Sequence, residues 1–380
     1  LTRAVSARVL STADRVRRPP LREVGQLAAP LWPKSTDRLV TVAVPNFNYG
    51  AYLSDAVASA VSQRGVAVEV VIVDDCSTDD SFAVAQSLAA QYDNVVALQN
   101  DTNRGHGHTF NRAWREGRGE FVVRLDADDI LAPDALARAV ALFERFDGVG
   151  LVYGRVSHFS GVPPEPEDGS GATGLVWSGA DWSYRMLQDD RNLIATPEAM
   201  LRRSVMEEYG AWKPELPHSQ DLEMWLRAAS FVDVGYVRAV QAYKRFHDAS
   251  MNLQGSAGTG LFHAHRHAYE SWYGDVADRL ADAELRYAVG RQAVADHAIR
   301  EAVHAYRRGK ADLVPVDELK EIAETLVEQP SGLRALERYE RATAVLGPSV
   351  VKWSPPALVG SIRERLRQAG IQARLDRDGY

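Results

Sequence analysis

The chain has 380 residues, of which 46% are hydrophobic and 25% charged, and this composition is typical of a globular protein of roughly two or three domains. The formal net charge of -7 supplies no overall basic field for a nucleic-acid partner. The single cysteine, Cys76, excludes an internal disulfide and fits a reducing, cytoplasmic setting, and no apolar run approaches the roughly 18 residues of a membrane-spanning helix.

Residues 1–38 are predicted to form a basic helix followed by a linker. The first 22 residues carry six arginines against one aspartate, and their apolar residues recur on one helical face. Such a helix fits peripheral contact with an anionic membrane surface, although packing against the protein's own body is the favoured interpretation. Residues 23–38, rich in Pro, Ala and Ser, are predicted to be the linker.

From residue 39 onward, apolar runs rich in β-branched residues alternate with segments of helical periodicity. The predicted strands are "RLVTVAVPNFN", "VAVEVVIVDD", "NVVALQN", "EFVVRLDADD" and "VGLVYGRVS". The helices between them are "YLSDAVASAVSQ", "DDSFAVAQSLAAQY", "HTFNRAWREG" and "APDALARAVALFERF". This alternation predicts βαβ units in an α/β fold, with a Rossmann-like, mostly parallel sheet flanked by helices.

The second half of the chain is less regular and ends in helices. Residues 160–174 form a Pro/Gly-rich loop, which is either a mobile lid or a disordered insertion. From about residue 259 the periodicity is helical, which predicts an appended C-terminal α-helical domain that binds a partner, forms a homo-oligomer or completes a site. His263, His265 and His267 in this part are predicted to lie on a packed or solvated face rather than to bind metal.

Four polar clusters follow the first four predicted strands. They are "PNFN", "DDCSTDD", "NDTNRGHG" and "DADD". In open α/β sheets the ligand binds beyond the carboxyl ends of the strands, so the clusters predict one continuous site along that edge.

The cluster "DADD" is a candidate metal site. Asp126 and Asp128 alternate along an extended segment and can face the same ligand. Two carboxylates suit Mg²⁺ or Mn²⁺, particularly when a diphosphate completes the coordination shell. The alternative is a solvated strand end at which Asp129 belongs to the turn before the next helix.

The clusters on the neighbouring strands are candidates for nucleotide binding. Asp75 follows a buried strand, where its carboxylate can accept the N3–H of uracil or thymine, unless it only shapes a helix-capping turn. Arg104, in a loop with Asn103, can approach a base or a phosphate, and His106 and His108 are candidates for phosphate contact.

These motifs together resemble a known enzyme family. In order and spacing, "TVAVPNFNYGAYLSDAVASAVSQ", "VEVVIVDDCSTDDS", "NRGHGHTFNRAW" and "GEFVVRLDADD" resemble the nucleotide-binding half of family 2 glycosyltransferases, which have the GT-A fold. "NLIATPEAMLRRSVMEEYGAW", "SQDLEMWLRAAS" and "YKRFHDASMN" resemble the acceptor-binding half. The resemblance implies a nucleotide-sugar-binding half at residues 39–150, an acceptor-binding half at 151–258 and a helical domain at 259–380.

The resemblance also implies roles for individual residues. Asp75 would read the pyrimidine, with Pro45 and Asn48 lining the base pocket and Asp126 near the ribose and metal. Asp128 would be a direct metal ligand, and His247 would reach the metal or the diphosphate. The implied nucleotide-binding set is therefore Pro45, Asn48, Asp75, Asn103, Arg104 and Asp126, and the implied metal set is Asp126, Asp128 and His247.

On the acceptor side, the resemblance assigns Asp221 as the general base that deprotonates the acceptor hydroxyl. Glu223 is the alternative base, because the two side chains cannot face one point on a helix. The family often has Glu before this Asp, whereas this chain has Gln220. Trp182 and Trp212 are candidates for an aromatic wall against the acceptor.

The expected activity is transfer of a single sugar from a UDP- or dTDP-sugar, with inversion and divalent-metal support, to a hydroxyl of a glycan, lipid-linked sugar or natural product. The Trp motif and membrane helices of processive synthases are missing from the sequence. A nucleotidyltransferase acting on sugar phosphates is an alternative, although "VPNFNYGAY" lacks its glycine-rich, basic phosphate loop. A catalytically inactive nucleotide-sugar-binding module is the other alternative.

Overall fold

The computed structural model describes residues 21–216, 218–247, 259–308, 310–328, 330, 332–346, 373–375 and 377–378. The basic helix predicted for the N-terminus lies outside the described residues. No helix within these ranges is long and apolar enough to cross a membrane.

Ten strands and eleven α-helices occur in the described ranges. The strands are β1 (Glu23–Leu27), β2 (Leu39–Asn46), β3 (Ala67–Asp74), β4 (Val95–Gln99), β5 (Phe121–Arg124), β6 (Ile130–Leu131), β7 (Val149–Phe159), β8 (Gly174–Trp177), β9 (Met200–Arg202) and β10 (Asp233–Arg245). The helices are α1 (Gly50–Val61), α2 (Ser81–Gln91), α3 (His106–Glu116), α4 (Ala135–Arg145), α5 (Gly179–Asp189), α6 (Arg203–Tyr209), α7 (Gln220–Ala229), α8 (Gly260–Val276), α9 (Ala283–Arg308), α10 (Val316–Leu326) and α11 (Leu333–Leu346).

The strands form one sheet in the order β1-β8-β10-β7-β9-β5-β2-β3-β4, with β6 paired to β10. Strands β5, β2, β3 and β4 are parallel, as are β7 and β10. Strand β9 lies antiparallel between β5 and β7 and joins the two parallel parts. The α/β sheet flanked by helices that the sequence predicts is therefore confirmed, with antiparallel strands added.

The burial of β2 and β3 explains why the parallel part of the sheet could be predicted from the sequence. In β2 and β3, the run from Val40 to Val44 and the run from Val70 to Val73 are almost completely buried. Helices cover both faces of these strands, so continuous apolar sequence replaces the alternation of a half-exposed strand. The carboxyl ends of β2, β3 and β5 then open onto the same edge of the sheet.

The predicted linker is partly structured. Residues Glu23–Leu27 form β1, which pairs antiparallel with β8 at one edge of the sheet. At Gly25 a Cβ atom would lie 2.3 Å from the ring of Phe146, so the glycine permits this close approach. The five-residue edge strand is mostly exposed, and its sequence therefore carries no clear apolar pattern.

The C-terminal helices share a hydrophobic core with helices α5 and α7. One buried cluster contains Trp182 of α5, Trp225 of α7, Trp272 of α8 and Ile299 of α9. Trp272 Nε1 donates a hydrogen bond of 3.0 Å to Ser230 Oγ, directly after α7. The appended helices are thus packed into the body of the protein.

Candidate active site

The loop after β3 is held by two adjacent aspartates with different partners. Asp74 is completely buried and accepts hydrogen bonds from Asn46 Nδ2, Ser77 and Gln99 Nε2. Asp75 accepts from Asn100 Nδ2 at 2.7 Å, from the Arg104 N–H at 2.9 Å and from the Gly105 N–H at 2.7 Å. An ionised carboxylate has about four acceptor positions, so Asp75 retains one for a ligand.

Asn48 connects the loop after β2 to the loop after β3 through hydrogen bonds. Its backbone N–H donates to Ser77 Oγ at 2.9 Å, and its Oδ1 accepts from the Thr78 N–H at 2.8 Å. Asn48 has φ 58°, a left-handed conformation that asparagine tolerates better than most residues. The polar loop therefore has a defined shape beside Asp75.

Basic residues neutralise the acidic segment after β5. Arg124 is buried and pairs with Asp126 Oδ1 at 2.8 Å. From the end of β10, Lys244 Nζ lies 3.8 Å from Asp129 Oδ2, and Arg245 donates from Nε to the Asp128 carbonyl at 3.1 Å. Asp129 is 1% exposed and accepts the Arg245 N–H at 2.9 Å, so it pins the end of β10.

The three acids have different proton affinities. Burial opposes ionisation of Asp126, but the charges of Arg124 and Lys244 hold its pKa below the usual range. Burial and the negative charge of Asp126 raise the pKa of Asp128. Burial raises the pKa of Asp129 well above its ordinary value. Asp126 is therefore the acid most firmly ionised at neutral pH.

Asp128 and His247 are the predicted metal ligands that lie together. His247 Nε2 is 3.0 Å from Asp128 Oδ2, and its ring stacks on Tyr52 with centroids 5.3 Å apart. The third predicted ligand, Asp126, is paired with Arg124. Within the described ranges, no group of three or more His, Cys, Asp or Glu side chains is arranged to hold an ion. The donor set fits a divalent ion that receives further oxygen ligands from a diphosphate.

A cleft of about 510 Å³ lies at this edge of the sheet, and we call it the donor cleft after the role that the sequence resemblance implies for these residues. Its walls come from the loops after β2, β3, β4 and β5 and from the end of β10. Predicted site residues that line it are Pro45, Asn48, Asp75, Asn103, Asp126 and Asp128.

Arg104, His106 and His108 were predicted to contact the nucleotide, and the structure places them in different surroundings. Arg104 contributes its main chain to Asp75, while its side chain lines a separate hollow with His108 and Arg112. His106 lines the donor cleft, and burial together with the charge of Arg124 lowers its pKa to about 4. His106 is consequently a neutral imidazole at pH 7, and His108 lies on the other side of its helix.

A second cavity of about 690 Å³ adjoins the donor cleft, and we call it the acceptor cavity after the role that the sequence resemblance implies for Asp221. The two share four lining residues, His106, Arg124, Asp126 and Lys244. Asp221, at the start of α7, lines the acceptor cavity and accepts hydrogen bonds from Asn192 Nδ2 at 2.7 Å and its neighbour Leu222 N–H at 2.8 Å. Burial raises the pKa of Asp221 despite these bonds, which makes it a stronger base.

Glu223 is not available as the alternative base. Its side chain is completely buried and pairs with Arg227 at 2.8 Å and with Lys213 at 3.4 Å. The prediction that Glu223 could replace Asp221 is therefore wrong, because its carboxylate fixes α7 to the preceding loop.

The two tryptophans predicted for the acceptor wall have different places. Trp182 is completely buried and donates from Nε1 to the Tyr153 hydroxyl at 3.1 Å, so its assignment to the wall is wrong. Trp212 does line the acceptor cavity, with its ring packed edge-on against Phe110 and Trp225.

Several buried polar atoms around the acceptor cavity lack hydrogen-bond partners among the described residues. Buried polar groups are normally paired, and these atoms have almost no exposed area, so a ligand could bond to them only after local rearrangement of the wall. The atoms are His106 Nδ1, Glu198 Oε2, Trp212 Nε1, Ser219 Oγ and Gln220 Oε1.

Lys244 is the main site residue that the sequence analysis did not single out. It lines both cavities, and although burial opposes its charge, Asp126 and Asp129 raise its pKa. The sequence feature that could have indicated Lys244 is the basic pair Lys244–Arg245 at the end of an apolar strand, which can balance the predicted acidic cluster.

The mixed, mostly parallel sheet flanked by helices has the GT-A fold. The solved structure of TarS from S. aureus has a TM-score of 0.51 and 19% identity, and the match covers 82% of this chain and 54% of that one. At this identity the likeness concerns the fold alone.

Residues 41–210 match the model of Glycosyl transferase family 2, and this chain therefore carries a domain of that family. An uncharacterized glycosyltransferase of Nostoc sp. is 39% identical over 114 residues, which are 30% of this chain and 35% of that protein. The succinoglycan biosynthesis protein ExoO of Rhizobium meliloti is 38% identical over 120 residues, or 31% of this chain and 33% of that protein. The chain thus spans about a third of the length of these relatives.

Proposed function

We propose that the protein is an inverting glycosyltransferase that moves a single sugar from a UDP- or dTDP-sugar to a hydroxyl acceptor. The observation that carries the proposal is the junction of the donor cleft and the acceptor cavity at His106, Arg124, Asp126 and Lys244. A sugar attached to a diphosphate in the cleft would present its anomeric carbon at this junction. The lone Cys76 fits a cytoplasmic setting for the reaction.

On the donor side, the remaining acceptor position of Asp75 suits a pyrimidine N3–H, beside Pro45 and Asn48. Asp128 and His247 would hold Mn²⁺ or Mg²⁺, with Asp126 nearby at the ribose. When bound, the ion neutralises charge on the diphosphate leaving group. Lys244 places a further positive charge on the same wall.

On the acceptor side, Asp221 is the proposed general base. Its carboxylate removes the proton from the attacking hydroxyl, while the hydroxyl oxygen bonds to the anomeric carbon and the bond from that carbon to the diphosphate oxygen breaks. Attack from the acceptor cavity occurs on the face opposite the diphosphate, so one displacement inverts the anomeric centre. Asn192 and the Leu222 N–H orient the carboxylate.

The first test is a screen of the purified chain against UDP-, dTDP- and GDP-sugars with Mn²⁺ or Mg²⁺, with release of free nucleotide as the readout. We expect metal-dependent hydrolysis of a UDP- or dTDP-sugar, and metal-dependent binding of UDP or dTDP by calorimetry. Lack of metal-dependent binding of both nucleotides would contradict the proposal. Pyrophosphate release from a nucleoside triphosphate and a sugar phosphate would favour the nucleotidyltransferase instead.

A further inference from the structure

The C-terminal helices contribute directly to the wall of the acceptor cavity. Leu261, Ala264 and His265 of α8 line it together with Asp221. The family match ends at residue 210, well before α8. This part of the wall therefore belongs to the appended helices of this chain.

A buried carboxylate holds His265 in place. Asp190, directly after α5, is 1% exposed and accepts hydrogen bonds from His265 Nδ1 at 2.8 Å and from His297 Nδ1 of α9 at 2.8 Å. The hydroxyl of Tyr269, one turn after His265, donates to the same carboxylate at 3.0 Å. We call these four residues the Asp190 clamp, and it connects α5, α8 and α9.

The clamp fixes the tautomer of His265. Burial opposes ionisation of Asp190, but hydrogen bonds from His265 and His297 hold its pKa well below the usual range. An ionised carboxylate only accepts hydrogen bonds, so each imidazole donates from Nδ1. Nε2 is then the ring nitrogen that can contact a ligand. Among the described residues, only Nδ1 of this ring has a hydrogen-bond partner.

Helix α8 is also fixed relative to the proposed base. Asp275 of α8 lies 2.7 Å from Lys213 Nζ and 3.3 Å from Arg227 Nε of α7, the helix that begins beside Asp221. His265 and Asp221 thus belong to two helices joined by the ion pairs of Asp275 and by the packing of Trp272 beside Ser230, and both line one cavity. Such rigid placement suits a binding group.

We propose that His265 is an acceptor-binding residue whose Nε2 accepts a hydrogen bond from one hydroxyl of a sugar-like acceptor while another hydroxyl faces Asp221. This inference rests on the proposed function. The cavity walls combine apolar side chains such as Leu193 and Ile194 with polar ones, as the two kinds of surface on a sugar ring require.

The acceptor that fits the acceptor cavity carries no charge on the sugar unit that binds there. Arg124, which lines the cavity, is paired with Asp126. Lys244 faces the negative charges of Asp126 and Asp129. Both cations face anionic side chains, and the charge of Lys244 is also assigned to the donor diphosphate in the proposed function, so neither is reserved for an anionic acceptor.

The test compares His265→Asn with His297→Asn as a matched control. In both variants the asparagine amide can still donate to Asp190, and in both the atom corresponding to Nε2 is lost. Only His265 lines the cavity, so a purely structural role predicts similar effects of the two substitutions. The probes are methyl glycosides of glucose, galactose, mannose and N-acetylglucosamine, with binding followed by ligand-observed NMR in the presence of UDP and Mn²⁺.

For a glycoside that binds the wild-type chain, His265→Asn should weaken binding roughly 5- to 10-fold, the effect of one lost neutral hydrogen bond. UDP affinity should stay unchanged, the melting temperature should fall by a similar amount in both variants, and His297→Asn should bind the glycoside like wild type. Equal losses of glycoside binding in both variants, or no glycoside binding to a wild-type chain that hydrolyses a nucleotide sugar, would overturn the inference. Failure of the proposed function is distinguishable, because it removes nucleotide-sugar hydrolysis itself.

Discussion

At the scale of single residues, each of the three carboxylates in the acidic segment after β5 is held by a different neighbour. Arg124 neutralises Asp126, His247 contacts Asp128, and the end of β10 encloses Asp129. The sequence indicated the acids but left open whether Arg124 is a partner of them or points elsewhere. The pairing of Arg124 with Asp126 could not be deduced, because two side chains two positions apart at a strand end can face each other or can both face solvent.

The raised pKa of Asp221 leads to a prediction about pH. The base must be ionised, so the rate should fall as pH drops below its pKa. Asn192 stabilises the ionised form through its bond to Oδ2, and Asn192→Ala should therefore raise this pKa further. The acid limb of the kcat profile should move to higher pH. A limb that stays in place or moves to lower pH would contradict the assignment of Asp221 as base.

The charge of Lys244 should support donor binding. Lys244→Met removes a cation from the wall of the donor cleft, and we expect the Kd of UDP to rise roughly tenfold or more, as for loss of a charged hydrogen bond. Calorimetry measures the change. Lys213→Met is the control, because Lys213 is also partly buried and ion-paired but lines a different hollow. Equal effects of the two substitutions would argue against direct contact with the diphosphate.

At the scale of elements, the long strands and helices of residues 39–159 could be predicted because buried β-branched runs and helical periodicity extend over many residues. The short strands β1, β8 and β9 could not. They have five, four and three residues, too few for a period to be recognised. Their places depend on antiparallel pairing with strands distant in sequence.

The buried ion pair within α7 gives a prediction for this element. Glu223→Gln leaves Arg227, which is 2% exposed, with much of its charge uncompensated. We expect a loss of about 3 kcal/mol in the free energy of unfolding, measured by urea denaturation. Glu215→Gln, an exposed control nearby, should have little effect. Stability equal to wild type would show that Asp275 alone compensates Arg227.

At the scale of the whole molecule, the C-terminal helices and the α/β sheet share one core. The sequence predicted the helices but not the cluster that joins them to the sheet. Asp190 lies 75 residues before His265 and 107 before His297, so no local spacing reveals their contact. His265 was expected on a packed or solvated face, and it is packed; the sequence did not predict that it contacts a buried carboxylate and borders a cavity.

The shared core predicts that the sheet does not fold without the helices. Truncation after residue 258 would expose apolar surface of Trp225, Met186 and Leu187, which the C-terminal helices help to bury. The truncated chain should be insoluble or lose its cooperative thermal transition, while the full chain should unfold in one transition by calorimetry. A truncated chain that melts like the full chain would show that the helices form an independent unit.

The central claim is that Asp221 acts as the base at the junction of two cavities. The most direct measurement compares wild type with Asp221→Asn for sugar transfer and for binding of the nucleotide with Mn²⁺. The account predicts that transfer falls roughly a thousandfold or more, because general base catalysis is lost, while nucleotide Kd and melting temperature stay close to wild type. Transfer that survives the substitution, or a parallel loss of nucleotide binding, would contradict it.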